Sequence, residues 1–139
     1  MKWLLDTNAF SEPGRPRPDA EFLRWFDASD EEDMVLSVIT IGEMDKGIAL
    51  LADGRRRRDM DSVNRGALLA FGGHVLPIDL KIARLWGGLA ARLRGQGFKF
   101  GAADELIAAT ALHHGLTVVT RDVLPFQVSG CKLLSPWSA

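Results

Sequence analysis

Short apolar runs that alternate with longer stretches of helical spacing constrain this chain more than any other feature. Trp3-Leu4-Leu5 stops at the polar trio Asp6-Thr7-Asn8, and residues 34–36, 74–78, 116–120 and 132–134 are further brief apolar or β-branched runs. Between them, residues 20–26, 38–52, 56–71, 80–94 and 102–114 carry apolar side chains at helical intervals. Ser37 and Asp79 are placed as N-caps, while Gly72-Gly73, Gly95, Gly97 and Gly115 stand where helices should end. Residues 11–14 and 16–18 read as breakers. Strands apolar on both faces and separated by helices predict an α/β fold, a mainly parallel sheet between two helical layers. Ligands of such sheets sit beyond the carboxyl ends of the strands, so the polar residues that follow the apolar runs come first as site candidates.

At 139 residues the chain is expected to form a single domain, residues 1–139, with a core that needs no staples. Hydrophobic residues at 47% and charged residues at 25% exclude a disordered class. No apolar run approaches the roughly 20 residues of a membrane span. Met1-Lys2 precedes only three apolar residues, so no leader is read there. Cys131 is the one cysteine, which excludes an intrachain disulfide and suits a reducing cytoplasm. A net charge of −1 excludes a globally basic nucleic-acid binder. Basic residues are nevertheless clustered, with four arginines at 55–58 and Arg92 and Arg94 near Lys99.

Four acids follow strands or begin helices. Asp6 closes the first strand, where a turn or capping role is as reasonable as a catalytic one. Glu43 falls on a helical stripe with Ile39, Thr40, Gly47 and Leu50, a face that should turn toward the sheet; pairing with Lys46 is the plainer alternative. Asp104 opens an alanine-rich helix, where the helix dipole alone would suit it, but the small neighbours permit close approach to the strand ends. Asp122 follows the strand at 116–120 and is open to the same two readings as Asp6. Converging carboxylates repel one another unless a cation accompanies them, and all-oxygen donors favour Mg²⁺ or Mn²⁺ over zinc. His74, His113 and His114 form no ligand set, and Gly95-Gln96-Gly97 lacks the strand-to-helix setting of a phosphate loop.

Taken together and in order, these residues are familiar. Leu4-Leu5-Asp6-Thr7-Asn8 with Ser11-Glu12-Pro13, Leu36 through Glu43, Leu76-Pro77-Ile78-Asp79, Asp104 through Ala111, Thr120-Arg121-Asp122 and Pro136-Trp137 resemble the PIN domain. Within that family they resemble the VapC- and FitB-type toxins of bacterial toxin–antitoxin pairs. The resemblance implies a three-layer α/β/α fold and Mg²⁺- or Mn²⁺-dependent endoribonuclease activity. It also implies a homodimer, with further assembly around an antitoxin, and inhibition by that antitoxin, through which alone operator DNA is bound. Asp6, Glu43 and Asp104 match the family's acidic triad, with Asp6 and Asp104 as direct metal ligands and Thr7, Asn8 and Thr120 as polar pocket residues. Many PIN domains place a fourth acid where this chain has Pro125; FitB-type members carry it where Asp122 stands. Asp79 is read as a cap. Arg121, Arg55 and Arg56 are candidates to contact RNA or antitoxin. The competing expectation is a catalytically feeble PIN module that serves mainly to hold an antitoxin on DNA.

Overall fold

The computed structural model describes residues 1–139, built around a five-stranded sheet. β1 (Trp3–Leu5), β2 (Met34–Ser37), β3 (Val75–Leu76), β4 (Thr117–Val119) and β5 (Lys132–Leu134) lie in the order β3-β2-β1-β4-β5. All four pairings are parallel, with Leu4 opposite Val35 on one side and Leu5 opposite Val119 on the other. The chain builds outward from β1 in one direction and then in the other, which makes the β1–β4 junction the topological switch point.

Alternation along the strands sorts the core into two halves. Leu4, Val35 and Val118 face α5 (Leu80–Gly95), α6 (Ala102–His114) and α7 (Leu124–Val128), where they meet Leu89, Leu93, Ile107, Ala108 and Phe126. Leu5, Leu36 and Val119 face the opposite way, toward α1 (Thr7–Ser11) and α2 (Ala20–Ala28), where Phe10, Phe22 and Trp137 fill the space. Phe22 is fully buried, its ring 4.6 Å from that of Trp137. Over that same side lie α3 (Val38–Ala49) and α4 (Arg55–Phe71), whose side chains pack on the second half of the core. This is the expected α/β/α sandwich, and no helix in it is long and apolar enough to cross a membrane.

Caps account for most helix starts. Ser37 Oγ accepts from Ile39 N at 3.0 Å and Asp79 Oδ1 from Ile82 N at 2.9 Å, as the sequence predicts. Gly72 and Gly115 take positive φ (55° and 68°) at the ends of α4 and α6, a conformation that costs glycine little.

Three local readings need correction. Residues 7–14 are not a turn followed by breakers: Asp6 caps the five-residue α1, and Glu12–Gly14 continue as a 3₁₀ turn with Pro13 in its first positions. Residues 124–128 form α7, again with proline near the start. The strand expected over 74–78 shrinks to Val75–Leu76, since Pro77 has no N–H to extend the ladder.

Candidate active site

Parallel pairing at the switch point sets the centre of the site. Asp6 N donates to Val119 O at 3.0 Å, so the residues that leave β1 and β4 stand side by side. Asp6, 4% exposed, is held by three donors: Thr7 N and Thr120 Oγ1, each at 2.8 Å, and Asn8 Nδ2 at 3.2 Å. Asn8 ties the same loops a second time by accepting from Arg121 N at 3.1 Å. Thr120 Oγ1 in turn accepts from Asp122 N at 3.1 Å, which places Asp122 on the exposed rim.

Glu43 arrives from α3. It is half-buried and accepts a 2.6 Å hydrogen bond from Thr7 Oγ1, so the α1 turn that contains Thr7 connects it to Asp6. Lys46 forms no ion pair with it, which disposes of the plainer alternative. Asp104 comes from the first turn of α6, half-buried.

Electrostatics shows that the four acids share one space. Burial pushes the Asp104 carboxyl up to about 6, and the charges of Asp6, Glu43, Asp122 and Glu105 add to the rise. Asp6 is raised chiefly by burial; the hydrogen bonds from Thr120 and Thr7 lower it again, and Glu43 and Asp122 push it higher. No lysine or arginine is paired with any of the four. The pocket therefore holds an excess of negative charge with no internal compensation.

Such a donor set suits a hard divalent cation. Asp6, Glu43, Asp104 and Asp122 are the residues that could hold one. No three carboxylate or imidazole groups close into a ready-made ligand cluster, as expected of anions that repel one another without a counter-ion. Histidines take no part: His74 Nδ1 lies 3.2 Å from Met34 O, and His113 and His114 end α6. Cys131 is also structural, its thiol pushed up to about 11 by burial.

A large cavity lies beside the acids rather than on them. It is a groove of about 1070 Å³ that shares Asn8 and Arg121 with the site and runs between the 3₁₀ turn and α4. Arg56 and Arg15 also line it, whereas Arg55 points to Asp59 at 3.7 Å on the open face of α4. Two buried acids escaped the sequence reading as site candidates. Glu12 accepts from Trp137 Nε1 at 2.6 Å, and Glu105 accepts from Trp86 Nε1 at 3.3 Å. Their one signal in the sequence is a tryptophan far along the chain from one and on a neighbouring helix from the other.

An acidic pocket at the switch point of a parallel α/β sandwich defines a class, and the sequence places the chain within it. Residues 3–126 match the PIN domain, and the chain belongs to that family. Among its relatives, VapC ribonuclease Y4jK of Sinorhizobium fredii is 41% identical over 135 residues, which cover 96% of each chain. Toxin FitB of Neisseria gonorrhoeae is 38% identical over 135 residues, 96% of this chain and 97% of that one. The solved structure of FitAB bound to an IR36 DNA fragment superposes with a TM-score of 0.90 at 37% identity, over 99% of this chain and 96% of that one.

Proposed function

We propose that the chain is a divalent-metal-dependent endoribonuclease toxin, active as a homodimer and inhibited by a cognate antitoxin. The observation that carries this reading is the convergence of Asp6, Glu43, Asp104 and Asp122 with no cation among them. Relatives named as a VapC ribonuclease and as Toxin FitB support it. Asp6 and Asp104 would hold Mg²⁺ or Mn²⁺, with Glu43 and Asp122 contributing further carboxylate oxygens to the same pocket. When bound, the ion offsets the carboxylate charge, lowers the pKa of a water and stabilises the charge that develops on a phosphoryl group.

The remaining work falls to the chain itself. Thr120 and Asn8 fix the Asp6 carboxylate from both loops, and Thr7 fixes Glu43. Hydrogen bonds of this kind orient ligands and preserve their geometry. Arg121 and Arg56, exposed along the adjoining groove and free of ion pairs, are positioned for RNA phosphates or antitoxin carboxylates.

Purified chain incubated with RNA should cleave it in Mn²⁺ and stop on addition of EDTA. Asp6→Asn and Asp104→Asn should each lower the rate by at least about a hundredfold, the scale on which even outer-shell partners of a metal matter. Wild-type rates in both variants would overturn the mechanism. The second reading, a feeble nuclease that mainly holds an antitoxin on operator DNA, is favoured by the DNA-bound FitAB structure. It predicts no Mn²⁺-dependent cleavage by the wild type.

A further inference from the structure

Between Asp79 and Asp104 the chain carries five cations (Lys81, Arg84, Arg92, Arg94 and Lys99) and no acid, although its net charge is −1. All five are exposed, and none is ion-paired. The contrast with α4 is plain, since Arg55, Arg57 and Arg65 there each have an aspartate one turn away. Lys81, Arg84, Gly88 and Arg92 stand at i, i+3, i+7 and i+11. They form one stripe about 16 Å long on a flank of α5, clear of the buried Ile82, Leu89 and Leu93. Arg92 donates to Gln96 Oε1 and to the Val128 and Ser129 carbonyls, each at 3.3 Å, which fixes its head without neutralising it. Gly88 leaves the middle of the stripe open: a Cβ there would meet nothing within 4 Å.

The same segment ends in an aromatic pair. Gly97 takes φ 89° after α5, and Phe98 N donates to Leu93 O at 2.9 Å, a helix stop that seats the Phe98 ring against the core. Phe100 stacks on it, with ring centroids 5.4 Å apart and planes 12° from parallel. Both rings are half-buried, while Lys99 between them is exposed. Gly101, next after Phe100, opens α6, whose first turn carries Asp104. Trp86 holds the middle of α5 to that turn by donating to Glu105 at 3.3 Å. Cations, rings and Asp104 thus adjoin on one helical layer, opposite the layer that walls the groove.

We infer that this surface is the track along which single-stranded RNA reaches the acidic pocket. Phosphates follow the stripe of Lys81, Arg84 and Arg92 and then Lys99, and a base stacks on the exposed part of Phe100 as the strand enters at Asp104. Uncompensated cations are what such a strand needs, because the four carboxylates of the pocket repel its phosphates. A single strand fits better than a duplex, since only an unstacked base can lie on a ring. An acidic protein segment would use the cations and leave the rings idle. The inference deepens the nuclease reading given above and rests on it.

The test is fluorescence anisotropy of the full chain with a fluorescein-labelled single-stranded RNA, in EDTA so that the strand is not cut. Gly88 supplies variants that the fold accepts, because a side chain there enters open space and a helix interior disfavours glycine. Gly88→Glu should weaken binding by about fivefold, the order of one unit charge beside another at a surface. Gly88→Gln should bind as the wild type does, and Gly88→Lys should bind more tightly. The slope of log affinity against log salt should be about −3 for the wild type, as for four phosphates, and about −1.5 for Lys81→Gln with Arg84→Gln. Phe100→Leu, which keeps an apolar side chain against the core, should cost at least about fivefold. Equal affinity across the Gly88 series, with Mn²⁺-dependent cleavage intact, overturns the track and leaves the nuclease reading standing. A wild type that neither binds RNA nor cuts it in Mn²⁺ overturns both. Polyglutamate that competes as well as RNA of equal charge overturns the assignment to RNA, and so does undiminished binding by Phe100→Leu.

Discussion

Two helical pairs carry the outer parts of the site, and they are built on opposite plans. In α5–α6, Ile82, Leu89 and Leu93 of one helix and Ile107 through Ala111 of the other are buried. In α3–α4 only Thr40, Ile48 and Asn64 are buried, and 17-residue α4 contributes a single polar side chain. Asp104 is therefore anchored in one half of the core, while Glu43 stands on a helix with a largely open flank. Half of the pocket is rigid by packing. The other half depends on a few hydrogen bonds, above all that from Thr7, and on whatever fills the groove beneath α4.

The widest test of this contrast is stability. Leu93→Ala, at a fully buried position of α5, should cost about 2–5 kcal/mol in urea unfolding, whereas Leu69→Ala, 83% exposed on α4, should stay within about 0.5 kcal/mol. Comparable losses at the two sites would erase the distinction. A smaller effect is expected at the hinge between the halves. Thr7→Val leaves Glu43 without its donor and should slow RNA cleavage by about tenfold while the chain melts near its usual temperature. An unchanged rate would mean that Glu43 needs no orientation.

The mildest effect concerns Asp104 itself. Its folded pKa is raised to about 6, so the stability it contributes is complete below the ordinary carboxylate pKa and is lost as pH rises through about 6. At pH 7.5 without added metal, Asp104→Asn should therefore be more stable by on the order of 1 kcal/mol, discounted for a half-exposed group, or about 3 °C in Tm. At pH 4 the two proteins should melt together. Calorimetry at both pH values decides it, and a variant less stable at pH 7.5 would contradict the crowding of the acids.

Much of this arrangement is legible in the sequence because its signals are local. Ser37 and Asp79 announce their helices, and the apolar runs at Trp3, Met34 and Thr117 can be little other than inner strands. The acids Asp6 and Asp122 follow strands by simple position. The short helices were harder: Asn8, Ser11 and Pro13 suit turns as well as helix starts, and Pro125 favours the first turn of α7 only once that helix is known to exist. Glu12 was illegible as a buried acid, since Glu-Pro-Gly is ordinary loop chemistry and its partner Trp137 lies 125 residues away. Burial of that kind is decided by tertiary packing.

The placement of β1 at the middle of the sheet also bears on when the acidic site can assemble. Asp6 leaves the ribosome first, yet the hydroxyl that orients it belongs to Thr120, 114 residues later. At roughly 5–20 residues per second, translation delays that meeting by some seconds, and loop closure over so long a span is itself slow. A nascent chain that stops short of β4 also lacks Thr120, and its Asp6 carboxylate is without that donor. The acidic pocket is therefore completed only once β4 has been made.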